Sequence, residues 1–176
     1  MQKREEPASI PEHSLQISST RDGYLLEARQ WIPLPREAVF QFFAEPRNLG
    51  RITPPWMRFQ MLDADRVKME EGARIHYIVR WLNFPLRWTT MISSFQPPEV
   101  FADTQESGPY SCWVHQHWFI AAVGGTWMED RVTYRLPFGI LGRLVHAVVV
   151  KRQLQEIFLF RARAIEQLLL DRSHME

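Results

Sequence analysis

The fold is decided by residues 112–136, CWVHQHWFIAAVGGTWMEDRVTYRL. Two runs rich in aromatic and β-branched residues flank Gly124-Gly125, which is typical of two strands joined by a tight hairpin turn. In the second run an apolar set of residues alternates with a largely charged set, as in a strand with one face on a core. This stretch therefore predicts an antiparallel hairpin within a sheet.

The segments upstream extend this hairpin into a larger antiparallel sheet. Because short turn signals separate the candidates, we expect strands adjacent in sequence to pair, with the earliest strand closing an edge. Pro35 and the following REAVFQFFAE predict a short helix that ends at Pro46, and residues 48–52 predict one more helical turn. The candidate strands are residues 24–32, 58–64, 73–81, 86–95 and 100–106.

Downstream of Pro137 the apolar period changes to that of a helix, which we expect over about residues 140–170. Its apolar stripe needs a partner, and the sheet is the one large partner available. The predicted fold class is α+β: a curved antiparallel sheet of about seven strands wrapped on a long C-terminal helix, with two short helices after the first strand. A sheet that wraps a helix without touching it everywhere leaves a cavity between them.

Composition limits the domain organisation and the partners. The 176 residues fit one domain, expected over residues 21–172, behind a flexible polar tail of residues 1–20. A net charge of +1 gives no electrostatic reason to expect a nucleic acid partner. The longest apolar run, 118–123, is too short to form a transmembrane segment. With Cys112 as the only cysteine and no signal-peptide pattern, we expect a cytoplasmic location; the oligomeric state is not predicted.

Several motifs carry a resemblance over about residues 22–170. They are PREAVFQFF at 35–43, FADTQ at 101–105, GPYSCWVHQHWF at 108–119, GTWMEDRVTYRLPFG at 125–139 and IFLFR at 157–161. With these motifs the chain resembles the helix-grip SRPBCC/START-like superfamily, and more narrowly the bacterial ligand-binding SRPBCC proteins of unassigned function. The resemblance implies a helix-grip fold and a hydrophobic pocket. It implies no reaction, because START lipid-transfer domains, polyketide aromatase/cyclases and birch-pollen-allergen-like proteins share the scaffold.

Strand alternation predicts a polar cluster on the inner face of the sheet. Asp130 falls on the apolar face of its strand, where a carboxylate is costly unless it is paired. We place the face carrying His115 and His117 toward the cavity, and with it Asp103 and Gln105 of the preceding strand. Arg161, with Arg152 and Arg163, is interpreted as part of a solvated helix face; its alternative use is to hold an anionic head group.

Three interpretations of this cluster remain open. The His-X-His spacing with a carboxylate is a possible metal-ligand set. A His paired with a buried Asp is a possible acid–base pair, which makes Asp130, His115 and His117 the catalytic candidates. In the interpretation we favour, the groups satisfy one another or hold a ligand's polar end, and no metal or other cofactor is expected.

The predicted function is binding or transport of a small hydrophobic molecule, such as a lipid, an isoprenoid or an aromatic polyketide-like compound. Seven Trp in a chain of this size suit the walls of a ligand cavity. The alternatives are an enzyme of the polyketide aromatase/cyclase type, and a subunit whose exposed aromatics bind another protein; catalysis is left undecided, with binding alone favoured. The predicted binding residues are the polar cluster together with Trp81, Trp88, Trp113, Phe119, Met128 and Tyr134.

Overall fold

An antiparallel sheet and a C-terminal helical segment make up the structure, a computed structural model that describes residues 13–63, 67–81 and 84–173. The described strands are β1 His13–Ser19, β2 Tyr24–Ile32, β3 Gln60–Met61, β4 Arg74–Trp81, β5 Phe84–Gln96, β6 Val100–Ser107, β7 Cys112–Ala122 and β8 Gly125–Arg135. The described α-helices are α1 Arg36–Phe43, α2 Asn48–Arg51, α3 Gly139–Val145 and α4 Lys151–Ser173. A 3₁₀ turn spans Pro55–Met57, and a π-helical turn spans His146–Val150.

The strands form one sheet in the order β1-β2-β8-β7-β6-β5-β4-β3, with every pair antiparallel. Strands β3 to β8 pair with their neighbours in sequence, as short connections require. The predicted α+β fold class is confirmed: a curved antiparallel sheet, short helices after the early strands and a long C-terminal helix.

The hairpin between β7 and β8 follows from its two glycines. Gly124 has φ +85°, a backbone conformation that residues with a Cβ rarely adopt. At Gly125 a Cβ would collide with the carbonyl oxygen of Ile32 on β2. Glycine here therefore permits both the turn and the close approach of β2 to β8.

The expectation of a tail up to residue 20 is wrong for residues 13–19, which form β1. This strand pairs with β2 along its whole length, from His13 opposite Gln30 to Ser19 opposite Tyr24. Leu15 and Ile17 pack against a buried cluster of β2, β8 and α4. Strand 24–32 is consequently not at the sheet edge. Residues 1–12 lie outside the described residues.

The segment predicted as one long helix is helical from Gly139 to Ser173, passing through the π-helical turn without a non-helical residue. Buried Leu154 and Phe158 of α4 pack on Leu26 and Val132 of the sheet. Within the described residues, no helix combines the length and apolar character needed to span a membrane.

A second buried cluster brings α1 onto the sheet. Val39, Phe40 and Phe43, which helical spacing puts on one side of α1, are all buried. The ring of Phe40 packs edge-on against Phe119 of β7, with centroids 5.3 Å apart. This packing seats α1 beside the polar face of β7.

Candidate functional site

A cavity of about 200 Å³ lies between the sheet, the α1–α2 region and α4. Most of its wall is apolar, as expected for a site that takes a small organic molecule. One part of the wall is polar and consists of Asp103, His115, His117 and Arg161. Representative apolar lining residues are Ile52, Phe59, Val79, Trp88, Trp113 and Phe158.

A second cavity of about 290 Å³ adjoins the first. The two share lining residues that include Val79, Trp88 and Leu154, so they are adjacent. The second cavity reaches the surface at Phe138, which is 81% exposed. Together the two adjacent cavities, which we call the passage, extend from the start of α3 to the polar wall.

Asp130 lies on β8 at the inner face and is 7% exposed. Its Oδ1 accepts a hydrogen bond from Nε2 of His115 at 2.9 Å. The same oxygen lies 2.7 Å from Nδ1 of His117, the residue directly opposite Asp130 on β7. The structure thus gives this carboxylate the histidine partners that burial requires.

His117 lies between two carboxylates. Its Nδ1 faces Asp130, and its Nε2 is 3.1 Å from Oδ2 of Asp103 on β6. His115 lies beside it with ring centroids 3.8 Å apart and the ring planes at 41°, and its Nδ1 lies 3.8 Å from the same Asp103 oxygen. Three adjacent strands therefore hold four interacting polar side chains on one face.

Arg161 of α4 completes this network, so its assignment to a solvated helix face is wrong. The residue is 9% exposed, and its Nη2 lies 3.6 Å from Oδ1 of Asp130. The guanidinium lies near the ring faces of Phe43 and Phe158, at 5.4 Å and 5.9 Å. Its buried Nε has no hydrogen-bond partner among the described residues. A buried donor without a partner is costly, and a bound acceptor would satisfy it.

The protonation states follow from these contacts. Burial favours a neutral Asp130, but the charge of Arg161 and the bonds from both histidines outweigh it and hold the pKa of Asp130 well below its usual value. Burial and the neighbouring His117 lower the pKa of His115 to about 4. For His117 burial acts in the same direction, yet the bonds to Asp103 and Asp130 prevail and raise its pKa. His115 is therefore neutral at neutral pH, whereas His117 keeps its proton to a higher pH than an ordinary imidazole does.

The other predicted binding residues are divided among several environments. Trp88 lines both cavities, Trp113 the first and Trp81 the second. Gln105 does not line either; its side-chain amide donates to the Tyr110 carbonyl oxygen at 2.7 Å. Three more are buried in the core instead of lining these two cavities: Phe119, Met128 and Tyr134.

Several polar residues of the first cavity were not predicted from the sequence, among them Tyr77 and Thr90. Tyr77 of β4 and Thr90 of β5 line it, with their hydroxyl oxygens 3.4 Å apart. Thr90 also accepts a hydrogen bond from the Trp88 indole at 3.1 Å. Alternation along β4 puts Tyr77 on the same face as buried Ile75 and Val79. This pattern is the sequence signal that identifies Tyr77 as an inward-facing residue.

Comparisons with known proteins show the fold alone. No family model and no curated protein matches the chain. Protein TTHA0849 of Thermus thermophilus superimposes with a TM-score of 0.65 and 18% identity, covering 85% of this chain and 99% of its own. Ara h 8.0201 gives 0.57 and 18%, covering 84% and 97%. CalU16 of Micromonospora echinospora gives 0.53 and 14%, covering 93% and 91%.

These neighbours have helix-grip folds. The chain therefore has a helix-grip fold, in agreement with the resemblance of its motifs.

Proposed function

We propose that the protein binds a small, largely apolar molecule that carries one oxygen-bearing polar end. The observation that carries this proposal is a pair of adjoining apolar cavities, the first of which is lined by Asp103, His117 and Arg161; these contact Asp130, which itself lines neither cavity. Apolar walls with a few convergent polar groups are the usual design of a small-molecule site.

The shape of the passage sets the orientation of the ligand. Its apolar body would lie along the wall shared by the two cavities, against Trp88, Val79 and Leu154. Its polar end would reach Arg161, which lines the first cavity and whose buried Nε has no hydrogen-bond partner among the described residues. An anionic or strongly accepting oxygen fits this donor best, because hydrogen bonds to ionised partners are the stronger ones. Lipids, isoprenoids and aromatic polyketide-like compounds that end in a carboxylate or phenol meet this description.

A second candidate function is proton transfer on such a molecule, as in an aromatase/cyclase-type enzyme. The observation in its favour is His115, which is neutral and whose Nε2 donates to Asp130. This arrangement leaves Nδ1 as an acceptor in the cavity wall, within reach of a bound molecule's proton. Binding without catalysis is the simpler proposal, since it requires only the cavity and the buried donor.

Two fluorescent probes test the binding proposal. Both 1-anilinonaphthalene-8-sulfonate, which is anionic, and neutral N-phenyl-1-naphthylamine should bind at one site per chain with enhanced emission. Val79→Phe, at a residue that lines both cavities, should abolish binding of both probes because it fills the passage. The matched control is Val123→Phe, at a fully exposed turn position, which should bind both probes like the wild type.

The same protein preparation gives the independent measurement. Native mass spectrometry of freshly purified protein should show an adduct that denaturation releases as an apolar, oxygen-bearing compound. The proposal is wrong if folded wild type binds neither probe and carries no adduct, or if Val79→Phe retains its cooperative melting transition and binds the probes unchanged.

A further inference from the structure

We infer that Asp103, His115 and His117 form a binding site for a divalent transition metal of the zinc type in the wall of the first cavity. The ligand atoms are Oδ2 of Asp103, Nδ1 of His115 and Nε2 of His117, which all lie within 4.8 Å of one another. Two imidazoles and one carboxylate are a common protein ligand set for such metals.

The spacing of these atoms suits one shared ion. The Asp103 oxygen lies 3.1 Å from His117 Nε2 and 3.8 Å from His115 Nδ1. Zinc binds such atoms at ~2.0–2.2 Å, which in a tetrahedral site sets them roughly 3.4 Å apart. Each distance to the Asp103 oxygen lies within about 0.4 Å of that value, and the two ring nitrogens, which are no more than 4.8 Å apart, would approach each other on binding.

Asp130 supplies the support that metal-binding histidines generally have. Its Oδ1 faces Nε2 of His115 at 2.9 Å and Nδ1 of His117 at 2.7 Å, the nitrogen of each ring that is not a proposed ligand. With the protons on those nitrogens, both ligand nitrogens present lone pairs to the metal. Coordination of Nε2 of His117 would replace the hydrogen bond between that nitrogen and Asp103.

The backbone makes this arrangement rigid. Asp103 of β6 is paired with His115 of β7, and His117 of β7 is paired with Asp130 of β8. The ligands and their supporting carboxylate thus lie on three adjacent, hydrogen-bonded strands. Sites on such elements hold their geometry better than sites on loops.

Charge and position indicate what the metal would bind. Asp103 neutralises one of its two charges, and Arg161 balances Asp130, so the site keeps a net positive charge. All three ligand residues line the first cavity, so the remaining coordination position faces it. The ligand would be water or an anionic oxygen, such as a carboxylate, enolate or phenolate. This last step rests on the proposed function, whereas the metal site itself does not.

The inference reverses the expectation of no metal, because the sequence alone does not show that ring nitrogens converge on one carboxylate oxygen. The test begins with full-length protein freed of metal by a chelator and titrated with zinc chloride in a calorimeter. We expect one equivalent to bind, and cobalt(II) to give the intense visible absorption of a tetrahedral site.

Variants locate the binding. Asp103→Asn and His117→Gln keep side-chain size and hydrogen bonding, and each should weaken zinc binding at least a hundredfold. Asp130→Asn should weaken it by about 10–100-fold, the usual effect of losing a supporting carboxylate. His76→Ala, which removes an exposed histidine of β4, is the matched control and should leave the affinity unchanged.

If a variant fails to fold, a measurement on the wild type still tests the metal site. In ¹⁵N-histidine NMR spectra, zinc should shift His115 Nδ1 and His117 Nε2, while the opposite nitrogen of each ring stays protonated. The inference is overturned if zinc does not bind, if only other histidines shift, or if folded Asp103→Asn and His117→Gln bind zinc like the wild type. Probe binding that persists in chelator would leave the proposed function intact in any of these cases.

Discussion

Nδ1 of His117 lies 2.7 Å from Oδ1 of Asp130, its register partner on the adjacent strand. The same oxygen accepts from Nε2 of His115 at 2.9 Å and faces Nη2 of Arg161 at 3.6 Å. One carboxylate oxygen therefore serves two histidines and a guanidinium that are all nearly inaccessible to water. The network depends on Asp130 more than on any of its partners.

Asp130→Ala should destabilise the protein severely. It leaves the buried charge of Arg161 and the donors of two histidines without their acceptor, which in buried pairs costs about 3–5 kcal/mol. Asp130→Asn retains one acceptor oxygen but not the charge, so we expect a smaller loss, roughly 1–3 kcal/mol. Urea unfolding of the two variants and the wild type measures both differences. An alanine variant as stable as the asparagine variant would show that the acceptor oxygen does not matter.

Arg161→Gln should separate charge recognition from apolar binding. Removal of the guanidinium should weaken binding of the anionic probe about tenfold, equivalent to ~1.4 kcal/mol. Binding of the neutral probe should be unchanged. Fluorescence titration of both probes gives the two dissociation constants. The control is Arg152→Gln, whose guanidinium is solvent-exposed and paired with Glu156 on the same helix. Equal losses for both probes, or a similar loss in the control, would argue against a role of Arg161 in holding the polar end.

The inner face of the sheet is predictable from sequence, since the strand period is two and one face must be apolar. Alternation alone puts Asp130 among buried Met128 and Val132, and the structure has it there. Arg161 is not predictable in this way, because the register of a helix against a sheet depends on tertiary packing. Its neighbours Phe158 and Ile165 are buried with it, whereas the charged residue Arg152 is exposed.

β1 was not predicted from the sequence for a different reason. The run HSLQISS holds only Leu15 and Ile17 as apolar residues, and its other side chains resemble those of a solvated segment. Its place is set by the unpaired edge that β2 would otherwise expose, and by the apolar cluster beneath it. The unpaired edge and the apolar cluster exist only in the folded sheet, so the composition of residues 13–19 does not reveal them.

Stability should fall in acid through His146 of the π-helical turn. Its Nε2 accepts the Tyr134 hydroxyl at 2.8 Å, and its ring stacks on Tyr24 with centroids 3.4 Å apart. Burial, assisted by the charge of Lys151, lowers the pKa of His146 below 6.5. The unfolded chain therefore binds a proton on this residue at a higher pH than the folded chain does. The contribution of neutral His146 to the free energy of unfolding is complete above pH 6.5. It decreases as the pH falls toward the pKa of His146 in the folded state.

His146→Gln isolates this contribution. Glutamine offers the Tyr134 hydroxyl an acceptor oxygen but does not titrate, so the variant should lose part of the pH dependence. Between pH 6.5 and 5.5 its unfolding free energy should change less steeply than that of the wild type, by up to about 1.4 kcal/mol per pH unit. Urea unfolding at several pH values measures the two slopes, and identical slopes would assign the acid sensitivity to other groups.

Two truncations of the chain test the contribution of β1 to stability. Removing residues 1–12 should change the melting temperature by a degree or two at most, as expected from the polar composition of this segment. Removing residues 1–19 also deletes β1, its ladder with β2 and the packing of Leu15 and Ile17, so the melting temperature should fall by roughly 5 °C or more.

Ile17→Ala should reproduce part of that fall, since it removes apolar packing from the buried cluster. Ser18→Ala, at the neighbouring position on the other face of the strand, should have little effect. Calorimetric melting of the four proteins beside the wild type tests the assignment: if both truncations melt like the full chain, β1 contributes nothing to the stability of the sheet.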